Sequence, residues 1–153
     1  MSDDVGIPGY LLWRAANLWQ KRIRAVLAPY DVTPVQYLLL AGLRDVGAAD
    51  GGSTNQAALA RHCQTDPMMT SQVLRVLEKA GLIARQPHAG DGRAFAIALT
   101  GAGAELLSRA EGDILEADAL FHDPLGGEKE LFGDALRLLS GVRPRRRVKA
   151  VTE

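Results

Sequence analysis

Two short groups of side chains in this 153-residue chain have the chemistry to read the edge of another polar molecule. The first is Ser71, Gln72 and Arg75, in the stretch "PMMTSQVLRVLEK". A glutamine amide sets a donor beside an acceptor, which matches N6 and N7 of adenine. An arginine fork matches O6 and N7 of guanine, or a phosphate, and a serine hydroxyl adapts to several edges. The second group is Asp91 and Arg93 in "HAGDGRAF", residues 88–95. Narrow A·T-rich minor grooves attract an inserted arginine. Ala89, Gly90 and Gly92 leave room for close approach, and Asp91 is spaced to orient the Arg93 guanidinium through a charge-assisted hydrogen bond. Each group also has a plainer reading: the solvent face of an amphipathic helix, and a surface ion pair of little worth.

Other chemistries find no support. Ser, His and Asp occur, but no nucleophile elbow or related pattern joins a nucleophile, a base and an orienting group, so no enzyme is expected. His62, His88 and His122 lack the i,i+4 or short-loop spacing of metal ligands, and neither metal nor cofactor is expected. Cys63 is the single cysteine, so no internal disulfide forms and a reducing, cytoplasmic setting is the default. It reads as a buried structural residue, because a reactive thiol needs an exposed, electropositive place. No run of about 18 uncharged apolar residues is present to cross a membrane, and the acidic start "MSDDVGIPGYLLW" does not read as a secretory signal.

The two groups have to be positioned by helices and a hairpin. Over 9–28, Leu12, Ala15, Ala16, Trp19, Ile23, Val26 and Leu27 share a helical face, and Pro29 reads as the stop. Thr33-Pro34 opens a buried helix over 34–46, followed by a glycine-rich loop at 47–54. Asn55 caps a short helix that ends near Cys63. Asp66-Pro67 then opens a helix that runs to Gly81. Its inward stripe is Thr70, Val73, Leu74, Leu77 and Ala80; Met68, Ser71, Gln72, Arg75 and Lys79 face outward. "LIARQ" and "RAFAIALT" read as the strands of a hairpin with a longer loop, Asp91 and Arg93 lying at its tip. Thr100 caps a long helix over 101–121, "HDPLGG" is a turn, and a last helix covers 127–141. The tail "RPRRRVKAVTE" is expected to be disordered.

A net charge of zero hides a segregation. Residues 51–100 carry five basic and three acidic side chains, 101–140 carry three and nine, and 141–153 carry five and one. The middle of the chain is therefore suited to nucleic acid, and the acidic 101–121 helix is not.

Helix, short break, helix, hairpin is the order of a winged helix-turn-helix, whose second helix can enter the major groove. The expected fold is mostly α with a small β wing. The expected organisation is dimerisation helices at 9–30 and 101–142, a DNA-binding lobe at 33–100 and a basic tail at 143–153. The terminal helices hold more apolar positions than a lone winged helix can cover, which points to a homodimer.

Residues 56–103 resemble the multiple-antibiotic-resistance regulator (MarR) family. The shared landmarks are "QAALA", "LEKAGLI", "DGR" in the wing and "LTGAG" after it; "TPVQYLLL" at 33–40 looks like the family's second helix. With the flanking helices, the resemblance covers 10–142. It implies homodimers with interlocked terminal helices that bind near-palindromic double-stranded DNA operators, usually as repressors. Many members release DNA when a small aromatic or phenolic ligand, or an oxidant, arrives. By position, it implies DNA contacts at Met68, Met69, Ser71, Gln72 and Arg75, with Arg93 as the wing contact and Asp91 its support. Trp13, Trp19 and Tyr37 are then candidates to line a ligand pocket between the dimer helices and the lobe, with core packing as the competing reading. The chain departs from the family pattern at Cys63-Gln64-Thr65, where a Leu-Gly-type turn is common. It departs again at Gln72, where many members carry arginine, and at Met68 and Met69, where small hydroxyl residues are common. The runner-up is a winged-helix protein-interaction module that does not touch DNA.

Overall fold

The computed structural model describes residues 6–88 and 91–142, with the side chains of 88 and 91–94 outside the description. In chain order it holds α1 (Pro8–Leu27), α2 (Pro34–Ala49), α3 (Gln56–Cys63), α4 (Pro67–Lys79), β1 (Ile83–His88), β2 (Asp91–Leu99), α5 (Gly101–His122) and α6 (Lys129–Leu139). The mostly helical fold with a two-stranded wing is the expected one.

The helix starts follow from local chemistry. Thr33 Oγ1 accepts from the Gln36 N–H, and Gln36 Oε1 accepts from the Thr33 N–H, a reciprocal capping box. Asn55 Oδ1 accepts from the Ala58 N–H at 2.9 Å. Asp66 Oδ1 accepts from the N–H groups of Met68 and Met69, both at 2.9 Å. Thr100 Oγ1 accepts from the Gly103 N–H at 3.1 Å.

The element ends differ from those expected. Pro29 does not itself stop α1; a 3₁₀ turn, Ala28–Tyr30, carries the proline, and Asp31 in the left-handed region (φ 57°) closes it. Helix α2 continues through Ala49 instead of ending at 46. Gly47 packs against the backbone of Gly52, and the Gly52 N–H donates to the Gly47 carbonyl at 2.6 Å, so part of the expected loop is helix. Ala80, expected inside, is exposed, because it is the C-cap residue of α4. The strands reach His88 and Asp91, closer to the tip than expected, with a register shift between Pro87 and His88. "HDPLGG" lies in a 3₁₀ segment, Asp123–Glu128, so α6 begins only at Lys129.

The chain divides into two compact units, one ending at Ala117 and one starting at Asp118. The first unit holds two apolar clusters. One joins Leu39, Leu40 and Leu43 of α2, Leu59 of α3, Leu74 and Leu77 of α4, Ile83 and Ile97 of the wing, and Leu107 of α5. Burying such a side chain contributes about 1.5–3 kcal/mol, so this cluster fixes α4 and the wing on a common base. The other cluster joins Ile23 and Leu27 of α1, Val32, and Ala110 and Ala117 of α5. Tyr37 packs against both.

Four polar contacts reinforce this unit. The Tyr30 hydroxyl donates to Asp113 Oδ2 at 2.6 Å, and that bond raises the phenol's pKa first, with burial and the carboxylate's charge adding to it. Arg44 pairs with Glu111 at 3.2 Å, tying α2 to α5. Where α5 leaves the wing, the Thr100 N–H donates to the Leu82 carbonyl at 3.1 Å and its hydroxyl to the Gly81 carbonyl at 2.6 Å. Gly103 presses on that same Leu82 carbonyl so closely that no Cβ would fit.

In the second unit, His122 stacks edge-on with Phe121, ring centroids 5.2 Å apart, and lies 5.7 Å from the Phe132 ring. A 2.8 Å bond from Lys129 holds the Asp123 carboxyl below its usual range. Among the described residues, no helix is long and apolar enough to cross a membrane.

Candidate nucleic-acid interface

The turn between α3 and α4 is built without glycine. Gln64 takes the left-handed conformation (φ 54°) as the C-cap residue of α3, and the Thr65 N–H donates back to the Ala60 carbonyl at 3.0 Å. Thr70, fully buried in α4, donates its hydroxyl proton to the Asp66 carbonyl at 2.7 Å. Its Oγ1 is therefore left to accept from the Thr65 hydroxyl at 2.8 Å. This chain of bonds satisfies a buried polar group and locks the turn to the first turn of α4.

Helix α4 is thereby held with Thr70, Leu74 and Leu77 inward. Met68, Gln72, Arg75 and Lys79 are exposed, and Met69 and Ser71 are half-buried. Met68 is 75% exposed. Among the described residues, no hydrogen bond or ion pair occupies Gln72 or Arg75, so both heads are available to a ligand edge. The sequence reading thus placed five candidates on one helix, three of them fully outward.

The wing meets the end of α4 through Arg85 of β1, whose Nε lies 3.4 Å from Glu78 Oε2. That contact is an ion pair without hydrogen-bond alignment, and Arg85 Nε and one terminal nitrogen are buried with no hydrogen-bond partner among the described residues. Beyond Phe95 the side chains of the tip, including Asp91 and Arg93, lie outside the described residues; the backbone of both belongs to β2.

Sequence reasoning missed the concave face beside α4. A groove of about 830 Å³ is lined by Gln56, Ala57, Ala60, Arg61, Gln64, Thr65, Asp66 and Pro67. Gln56 Nε2 reaches the Pro67 carbonyl at 3.5 Å. The available signal was the position of these polar residues in the first helix of the pair, which crosses the sugar-phosphate backbone in such motifs.

Two of the three candidate aromatics share a cluster. Trp13 is 72% exposed in the first half of α1. Trp19 and Tyr37 are half-buried and pack on the same α1–α5 cluster. Burial, then the Glu111 charge, raises the Tyr37 phenol's pKa, and Arg44 opposes them. A separate cavity of about 560 Å³ between the end of α1, the start of α2 and the end of α4 is lined by Arg24, Asp31, Thr33, Gln36 and apolar neighbours, not by the trio. Cys63 is half-buried against the first cluster, its thiol donating to the Leu38 carbonyl at 3.7 Å, and burial pushes its pKa up, with Asp45 adding to the shift. Among the described residues, no group of three His, Cys, Asp or Glu side chains is placed to hold a metal ion.

Comparison with known proteins agrees with this fold. The MarR family profile matches residues 32–95. The HTH-type transcriptional regulator YdcH of Bacillus subtilis is 38% identical over 114 residues, 74% of this chain and 77% of that protein. The HTH-type transcriptional repressor Rv2887 of Mycobacterium tuberculosis is 35% identical over 119 residues, 78% of this chain and 81% of that protein. The crystal structure of Rv2887 in complex with salicylic acid superposes with a TM-score of 0.68 at 31% identity, covering 91% of this chain and 99% of that one. A MarR variant from E. coli complexed with operator DNA shares the fold at a TM-score of 0.76 and 19% identity, covering 90% of this chain and 98% of that one.

Proposed function

The chain belongs to the MarR family, and from that premise we propose that it is a dimeric, sequence-specific DNA-binding transcriptional regulator that acts as a repressor. The observation that carries this reading is the exposed row on α4: Gln72 and Arg75 point away from a core that fixes the helix on the same base as the wing. In this reading α4 enters the major groove, with Gln72 reading an adenine and Arg75 a guanine or a phosphate. Met68, Met69 and Ser71 line the same approach. Arg93 enters the flanking minor groove with Asp91 as its support. Arg61, Gln64 and Thr65 face the sugar-phosphate backbone beside α4. The lobe over 33–100 then does the reading, and the helices at 9–30 and 101–142 join two copies.

Selection from randomised duplexes followed by mobility shift tests the assignment. Gln72→Ala relaxes the preference at one position per half-site by about 1–3 kcal/mol if the contact is bidentate. Arg93→Ala weakens binding and removes the preference for A·T-rich flanks while leaving the major-groove preferences intact. Asp91→Ala gives a milder form of the same profile. An Arg93→Ala variant that binds every site as the parent does reduces the wing to a turn. A protein that enriches no duplex is the interaction module instead.

Release by a small aromatic acid is the regulatory half of the proposal, supported by the salicylic acid complex of Rv2887, which is 31% identical in that structure. Trp13, Trp19 and Tyr37 are the candidate lining between the terminal helices and the lobe. Titration with hydroxybenzoates should quench tryptophan fluorescence and weaken operator binding, with a coupling of about 1–3 kcal/mol. Operator affinity unchanged by any such compound removes this half.

A further inference from the structure

An exposed methionine opens α4. Met68 lies in its first turn and is 75% exposed, although methionine more often fills irregular gaps in a core. Its backbone is fixed: the N–H groups of Met68 and Met69 both donate to Asp66 Oδ1. That carboxylate occupies the positive end of the helix. The start of α4 therefore offers an approaching duplex no free amide at Met68 or Met69 and no uncompensated positive charge for a phosphate. What it offers is an apolar side chain, one helical turn before Gln72 and on the same exposed row.

We propose that Met68 reads the C5-methyl group of a thymine in the major groove, next to the base read by Gln72. The thymine methyl is the apolar group that base edges display in the major groove. Four residues span about 6 Å along a helix, close to two base-pair rises of about 3.4 Å each. The thymine therefore lies within two base pairs of the Gln72 base. An unbranched, polarizable side chain can follow the methyl on either strand. The proposal rests on the chain binding an operator, and it names one feature of that operator.

The experiment replaces each thymine of the selected site, one at a time, by deoxyuridine, which lacks only the methyl group. Affinity is measured by fluorescence anisotropy for the parent, Met68→Ala and Met68→Leu, with unfolding curves to check that all three fold. One thymine per half-site should show a loss of about fourfold in the parent on losing its methyl. Met68→Ala should bind the thymine duplex more weakly by a similar factor and no longer distinguish thymine from uracil there. Met68→Leu should keep the discrimination. A half-site without thymine, a parent indifferent to uracil at every position, or a Met68→Ala variant that discriminates as the parent does would each overturn the proposal. A selection that enriches no sequence overturns the regulator reading itself, and this proposal with it.

Discussion

At the scale of single residues, one tight fit is between Gly42 and Cys63. Gly42 lies inside α2, where alanine would be the better helix former by about 0.8–1 kcal/mol. A Cβ there would run into the Cys63 sulfur and come within 3.1 Å of Leu59 Cδ1. Gly42→Ala should therefore destabilise the protein by about 1–3 kcal/mol in urea unfolding, as overpacking does. The Gly42→Ala/Cys63→Ala double variant should recover much of that loss, because the sulfur is the nearest obstacle. No recovery would place the obstruction elsewhere. Residue by residue, the sequence was most legible at helix starts. Thr33, Asn55, Asp66 and Thr100 cap as their side chains dictate. Cys63 was legible as a packed thiol but not as half-exposed, since its depth depends on α2 and α3 meeting at a glycine. Gln64 gave no glycine to mark the turn, yet it adopts the left-handed conformation.

At the scale of elements, the contact between α4 and β1 adds an ion pair to the apolar core that sets the wing against that helix. Arg85 is mostly buried, with Glu78 its ion-pair partner and two nitrogens without hydrogen bonds among the described residues. Removing only the carboxylate leaves a buried cation; replacing the cation by an apolar chain does not. Glu78→Ala should cost about 1–2 kcal/mol, allowing for solvent at the half-exposed glutamate. Arg85→Met should stay within about 1 kcal/mol of the parent in denaturant titrations at fixed protein concentration. The reverse order would mean that the pair itself stabilises the joint. The existence and order of the elements were legible from periodicity and caps. The end of α2 was not, because the Gly47–Gly52 contact that carries the helix onward is a loop contact. Nor was the pairing of Thr54 with Ile97, 2.9 and 2.6 Å between their backbone groups, because local periodicity is blind to partners so far apart in the chain.

At the scale of the whole molecule, much apolar surface is left exposed among the described residues. Tyr10, Leu11, Leu12, Trp13 and Leu18 of α1 are exposed, as are Leu115 and Leu120 of α5 and Leu131, Leu138 and Leu139 of α6. A dimer that covers these surfaces is expected, and light scattering at micromolar concentration should give close to twice 16.4 kDa; a stable monomer would refute it. The pattern of unpartnered leucines was legible in the composition of the terminal helices. The surroundings of Trp13, Trp19 and Tyr37 were less so, since the presence of aromatic residues does not say which of them become neighbours.

The root of the wing sets how motion can spread from such a dimer. Gly103 lies against the Leu82 carbonyl, and Thr100 is bonded to both Gly81 and Leu82, so the start of α5 and the base of the hairpin move as one piece. That joint is the pivot of a lever. The nine residues of β2 make an arm of about 30 Å. A turn of about 10° at the pivot swings the far end of such an arm by about 5 Å, nearly the width of a minor groove of about 6 Å. Because Ile83 and Ile97 are packed into the core with α4, and Ile97 is paired with Thr54, any such turn carries α4 and the wing together, and its travel is largest at the tip.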